Sequence, residues 1–150
     1  MAQSTDNIAL VRQGYAAFSR GDMTALAELL HPDVEWYVGG ENALSGRYAG
    51  RDATFAYFGR LLGLTGGTAS VDVVELTEPI PGTVLAMVRV HAEVQGHVFD
   101  EDGVQQLEIR DGLAVSCRTF LQNWHRYDEL IGPAVIQLDE EDRVRAHAAG

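Results

Sequence analysis

An arginine, a histidine and a glutamate alternate with small apolar residues midway along the chain. In Ala86–Val94, the residues Met87, Arg89, His91 and Glu93 share one face of an extended segment, and Ala86, Val88, Val90, Ala92 and Val94 share the other. An imidazole beside a guanidinium is held neutral near physiological pH, which suits a general base. The apolar face must pack on apolar material. The polar face must meet water or a polar cavity, because unpaired buried charge is too costly. A second alternation runs through Leu113–Gln122, where Cys117, Thr119 and Leu121 share one face and Ser116, Arg118 and Phe120 the other. Trp36 and Tyr37 are adjacent and face opposite ways in a strand. Tyr15 recurs at helical spacing with Val11 and Phe18, which is a core pattern.

Other chemistries lack their residues. All eleven cations are arginine, so a Schiff-base lysine and a P-loop lysine are excluded. His31, His91, His97 and His125 are not clustered at ligand spacing, so no metal is expected. No dinucleotide fingerprint or nucleophile elbow is present, and no cofactor is expected. Cys117 is the lone cysteine and reads as a small buried hydrophobe. It cannot form an internal bridge. With no signal-peptide pattern and no long apolar run, this predicts a cytoplasmic protein.

The chain has 150 residues, 46% of them hydrophobic and 22% charged, which suits one domain with its own core. The net charge of −11 argues against nucleic acid and anionic membranes as partners, since both need a cationic surplus.

The elements that must position these residues follow from periodicity. Ile8, Val11, Tyr15 and Phe18 predict a helix over 7–20, capped by Asp6 or Asn7 and ended by Gly21. Asp22 caps a second, shorter helix stopped at His31-Pro32. Val34–Val38 reads as a strand, followed by a loop to Gly50. Asp52 opens a third helix through Leu64. The period then changes from 3.6 to 2, and Ser70–Glu78, Thr83–Val94, Val104–Arg110 and Leu113–Gln122 read as strands. Asp100-Glu101-Asp102-Gly103 interrupts one connection, and Asp111-Gly112 makes a tight hairpin turn. Tyr127–Ile131 adds a helical turn. Residues 1–6 are expected as a flexible start, 7–131 as the domain and 132–150 as a partly disordered tail. The order predicts an α+β fold, with a curved antiparallel sheet wrapped around three N-terminal helices and enclosing a cone.

These elements carry a resemblance. Tyr15-Ala16-Ala17-Phe18-Ser19-Arg20-Gly21-Asp22 and Leu29-Leu30-His31-Pro32-Asp33-Val34-Glu35-Trp36 resemble the opening of the SnoaL-like proteins of the nuclear transport factor 2-like superfamily. The match continues through Leu44–Ala53, Phe58–Leu61, Arg110-Asp111-Gly112 and Tyr127–Leu130. The resemblance implies a conical α+β barrel of the cystatin-like type, a homodimer joined through the outer sheet face, and a pocket for a small hydrophobic organic ligand.

It also implies which positions to inspect. Where ketosteroid isomerases hold their general-base Asp, this chain has Val38. Their oxyanion-donating Tyr aligns with Gly14, one residue before Tyr15. Their protonated Asp aligns with Gln105, or with Gln106 if the register slips. Where limonene epoxide hydrolases hold their Asp-Arg-Asp, Tyr and Asn, this chain has His91, Arg89, Thr119, Trp36 and Val38. In this register Arg89 and His91 face the pocket. Trp36, Val38, Tyr15, Tyr57, Thr119 and Leu121 are expected to contact the ligand. Two functions follow. One is a pocket protein with cofactor-free acid–base chemistry (isomerisation, cyclisation or hydrolysis), with His91 shuttling the proton, Arg89 tuning it and Gln105 donating a hydrogen bond. The other is a non-catalytic ligand-binding or dimerisation module on the same fold.

Overall fold

The computed structural model describes residues 2–133. The expected tail beyond Pro133 lies outside the described residues. Helix α1 spans Ala2–Arg20, α2 Met23–Leu29, α3 Arg51–Leu64 and α4 Trp124–Ile131. The strands are β1 (Leu30–Val38), β2 (Gly46–Ala49), β3 (Ser70–Ile80), β4 (Thr83–Val94), β5 (His97–Arg110) and β6 (Leu113–Leu121). They form one curved, unclosed sheet in the order β2-β1-β6-β5-β4-β3. Only β1 and β6 run parallel, and the other neighbours are antiparallel. Four register shifts, one in β1–β6, two in β3–β4 and one in β5–β6, add local twist of the kind that curves a sheet.

Several boundaries differ from those expected, each with a local cause. Helix α1 begins at Ala2, so residues 2–6 continue the helix. Asn7 does not cap it, because its amide donates to Glu78 Oε2 at 2.9 Å and ties α1 to β3. Strand β2 was expected as loop: its four residues have no apolar alternation and gain their place only by pairing with β1. Strand β1 starts earlier, at Leu30, and carries Pro32. Proline has no N–H for the ladder, and the β1–β6 register shifts between Leu30 and Glu35. Gly50, rather than Asp52, precedes the first turn of α3. Strand β5 runs straight through the acidic stretch, because Asp100 and Asp102 lie opposite the guanidinium of Arg89 on the outer face. The other signals act as read. Asp22 Oδ1 accepts from the Ala25 N–H at 3.0 Å, and Asp111 and Gly112 turn with φ of 51° and 78°.

Alternation decides what the sheet turns towards the helices. Val84, Ala86, Val88 and Ala92 of β4 are at most 1% exposed. Phe99, Leu107 and Ile109 of β5, Val34 and Val38 of β1 and Cys117 of β6 join them. Val11 and Ala17 of α1, Leu26 of α2 and Phe58 of α3 close the core from the helical side. Each such valine, leucine, isoleucine or phenylalanine contributes about 1.5–3 kcal/mol by leaving water. No helix among the described residues is long and apolar enough to cross a membrane.

Candidate functional site

The helices do not fill the concave face of the sheet. A cavity of about 90 Å³ lies under α1 and α2, walled by Leu10, Val11, Gly14, Leu26, Leu29, Trp36 and their neighbours. A second, of about 50 Å³, lies towards α4, walled by Val38, Val90, Leu121, Trp124 and Tyr127 among others. Phe18, Tyr57, Leu61, Val71 and Gln105 line both. They mark the neck at which a larger and a smaller lobe adjoin.

A short polar string crosses this apolar hollow at the neck. Gln105 is 8% exposed and points inward from β5. Its side-chain oxygen accepts from the Tyr15 hydroxyl, and its Nε2 donates to Thr119 Oγ1 at 2.9 Å. The string draws on α1, β5 and β6, three elements far apart in sequence. The register puts Gln105 between Ala86 and Thr119. Gln106 faces outward and donates to Glu108 Oε1 at 3.1 Å, which settles the choice between the two glutamines. Burial pushes the Tyr15 phenol well above its ordinary pKa, with nearby Cys117 adding to the effect, so Tyr15 is a neutral donor. Burial pushes the Cys117 thiol up as well, which leaves it protonated behind the site.

The hollow is well supplied with rings. Trp36 meets Phe58 edge to face at 5.1 Å, and Phe18 meets Phe58 at 5.2 Å. Tyr57 stacks on Tyr48 at 4.8 Å. Trp124 and Tyr127 of α4 pack 5.6 Å apart over the smaller lobe. Asn123 caps α4 by accepting from the Arg126 N–H at 3.1 Å, so the helix starts where Trp124 can lie against Gly39.

The expected residues divide in two. Tyr15 and Trp36 line the larger lobe, Val38, Thr119 and Leu121 the smaller, and Tyr57 and Gln105 both. Arg89 is corrected. The apolar half of β4 takes the core, so period 2 sends its side chain to the outer face, whereas His91, near the end of the strand, is half-buried and lines the smaller lobe beside Val90 and Ala92. Arg89 is exposed, and its Nε and Nη1 donate to Asp100 Oδ1 at 2.8 Å and Asp102 Oδ1 at 3.0 Å. Those carboxylates hold its charge in place and raise its pKa. In the smaller lobe the His91 Nε2 lies 3.5 Å from Glu93 Oε2. The guanidinium therefore does not look into the hollow, and the pair cannot act there as a tuned base. Sequence reasoning missed Leu61, Val71 and Tyr127 as wall residues. They entered only through the helix, the strand and the helical turn that carry them, and no local signal separates core from cavity wall. Among the described residues no three His, Cys, Asp or Glu side chains converge as a metal site.

Three comparisons bear on this geometry. Residues 11–117 match the protein family described as the SnoaL-like domain. An uncharacterized protein of Mycobacterium tuberculosis, Rv0034, is 37% identical over 92 residues, spanning 61% of this chain and 70% of that protein. The structure of Bal32a, from a soil-derived mobile gene cassette, superposes with a TM-score of 0.84 at 32% identity. The match covers 87% of this chain and 99% of Bal32a. A protein of unknown function with a cystatin-like fold from Xanthomonas campestris gives a TM-score of 0.79 at 23% identity, over 83% of this chain and 97% of that one.

Proposed function

Since the chain belongs to the SnoaL-like domain family, we propose that its cone binds a small, neutral, mostly apolar organic molecule and releases it unchanged. The observation that carries this reading is the Tyr15–Gln105–Thr119 string in walls otherwise made of hydrocarbon and rings. An amide and two hydroxyls can orient a ligand by hydrogen bonds. A glutamine cannot exchange a proton, and a buried phenol with a raised pKa does not do so at neutral pH. Among the described residues no Asp, Glu, Lys or Arg lines either lobe, and His91 of the smaller one has Glu93 beside it. The binding module is therefore favoured over acid–base catalysis. A cytoplasmic setting belongs to the same proposal.

A thermal-shift screen of neutral hydrophobic metabolites tests this, followed by mass spectrometry and chromatography of the recovered compound. At a hundredfold excess over Kd, a true ligand adds about 2.7 kcal/mol, which corresponds to a Tm rise of roughly 5–10 °C for a chain of this size. Gly14→Leu is expected to abolish the shift, because a side chain there enters the larger lobe beside Leu26 and Leu29. Recovery of an isomerised, cyclised or hydrated product would overturn the binding reading in favour of an enzyme.

The proposed protein partner is a second copy. Met87, Val104 and Phe120 are cross-strand neighbours on the outer face. Met87 and Phe120 are each more than half exposed. An apolar row of this kind on an outer sheet face is self-complementary about a two-fold axis. Light scattering is expected to give a dimer for the native chain and a monomer for Phe120→Lys. A native monomer at high concentration would rule the dimer out.

A further inference from the structure

The two lobes of the hollow differ in what they ask of an occupant, and the difference lies in two tyrosines. The chain has five. Tyr15 donates to Gln105, Tyr37 to Glu35, and Tyr48 to the Leu44 carbonyl at 2.6 Å. Tyr57 and Tyr127 are only 7% and 5% exposed, and neither phenol oxygen has a hydrogen-bond partner among the described residues. Both line the smaller lobe, Tyr57 from α3 and Tyr127 from α4. Neither oxygen is among the sealed polar atoms that lack a partner, so each hydroxyl keeps accessible surface on which water or a ligand atom can meet it.

The surroundings select the kind of atom. Burial raises the pKa of both phenols, so both are neutral donors at physiological pH. Two donors facing one small space suit an acceptor oxygen. Among the described residues Arg and Lys are absent from the walls of both lobes. His91, on the wall of the smaller one, has Glu93 beside it. A carboxylate in the smaller lobe would therefore lose its water without gaining a counter-charge. The larger lobe, lined mostly by leucine, valine and aromatic rings, offers room for hydrocarbon.

We propose that Tyr57 and Tyr127 form a two-donor site for the carbonyl or ether oxygen of a neutral ligand, whose hydrocarbon part passes the Gln105 neck into the larger lobe. This rests on the cone being a ligand site. It adds the direction in which the ligand lies and the chemistry of its head.

The test compares n-nonane, 2-nonanone and nonanoate on the full chain, with dissociation constants from NMR titration and the ketone carbonyl stretch from infrared difference spectra. 2-Nonanone is expected to bind about tenfold more tightly than n-nonane, the scale of one to two modest hydrogen bonds. Its carbonyl band should move to lower frequency, and nonanoate should bind more weakly than the ketone. The double variant Tyr57→Phe/Tyr127→Phe should bind n-nonane as the native chain does, losing both the tenfold preference and the band shift. Its Tm without ligand should be unchanged or higher, because the removed hydroxyls had no protein partner. A lower Tm would mean that the hydroxyls were satisfied within the protein, and would overturn the inference. Equal binding of ketone and alkane by the native chain, or a ketone preference that survives in the double variant, would overturn the two-donor site while leaving the cone a ligand site. Binding of none of the three probes would overturn both.

Discussion

Raising the pH above about 10 is expected to unfold this protein along a steep slope set by groups in and behind the hollow. Tyr15, Tyr57, Tyr127 and Cys117 all have pKa values raised chiefly by burial. In the unfolded chain the phenols ionise near 10.0 and the thiol near 9.0. Between those values and the raised folded ones, the native state holds protons that the unfolded state has lost, so stability falls as pH rises. The contribution is fully present below the unfolded values and is lost as pH climbs towards the folded ones. Each group contributes a slope of about 1.4 kcal/mol per pH unit. Four together approach about 5 kcal/mol per unit, against a total stability of about 5–15 kcal/mol for a domain of this kind. Urea melts from about pH 7 to about pH 11, followed by fluorescence and tyrosinate absorbance, measure this directly. Tyr127→Phe should reduce the slope by one proton. A shallow decline, with all tyrosines ionising before unfolding, would show that these phenols are reached by solvent.

Gly40→Ala is expected to destabilise the fold by about 2–4 kcal/mol, from a strained backbone and an overpacked contact together. Gly40 has φ of 77°, a left-handed conformation that a side chain resists. A Cβ there would sit 2.4 Å from Asp128 Oδ1 and 2.9 Å from Trp124 Cε3. Asp128 cannot simply turn away, because the same oxygen accepts from the Glu41 N–H at 3.0 Å and the Asn42 Nδ2 at 2.7 Å. Asn42 is itself buried and orders the loop by accepting from the Leu44 N–H at 2.8 Å. The added methyl therefore breaks the seam between α4 and the loop after β1. Trp124, which also lies against Gly39, would lose its seat over the smaller lobe. Chemical denaturation of the variant measures the cost. A midpoint equal to the native one would mean that α4 does not depend on this seam.

Both effects concern residues whose roles differ in how visible they are along the chain. The helices and the long strands are legible from periodicity, because burial of one face imposes a period of 3.6 or 2 wherever the face is continuous. The caps at Asp22 and the turn at Asp111-Gly112 are equally local. Strand β2 and the acidic half of β5 are not. The first is held only by its pairing with β1, and the second by Arg89, a cross-strand partner more than ten residues away in sequence.

The site shows the same divide more sharply. Alternation in β4 yields two faces, Ala86, Val88, Val90 and Ala92 against Arg89, His91 and Glu93, with certainty. Which face turns inward is a property of the whole sheet, and the core claimed the apolar one. The expectation drawn from family register placed the polar face in the pocket. Here the ion pairs of Arg89 with Asp100 and Asp102 stabilise it outside. Family register offered Gln105 with Gln106 as its alternative, and the partners of neither were visible. Tyr15 comes from a helix 90 residues earlier, and Thr119 from the next strand.

By itself, then, the order of residues determined the α+β class and the helical and strand faces. Tertiary structure alone decided that the two apolar surfaces leave a hollow instead of meeting, and that Tyr57 and Tyr127 line it with no hydrogen-bond partner for their hydroxyls among the described residues. The reason is physical. A core residue and a cavity wall obey the same periodicity, and they differ only in whether the opposing surface, supplied by distant parts of the chain, comes close enough to touch.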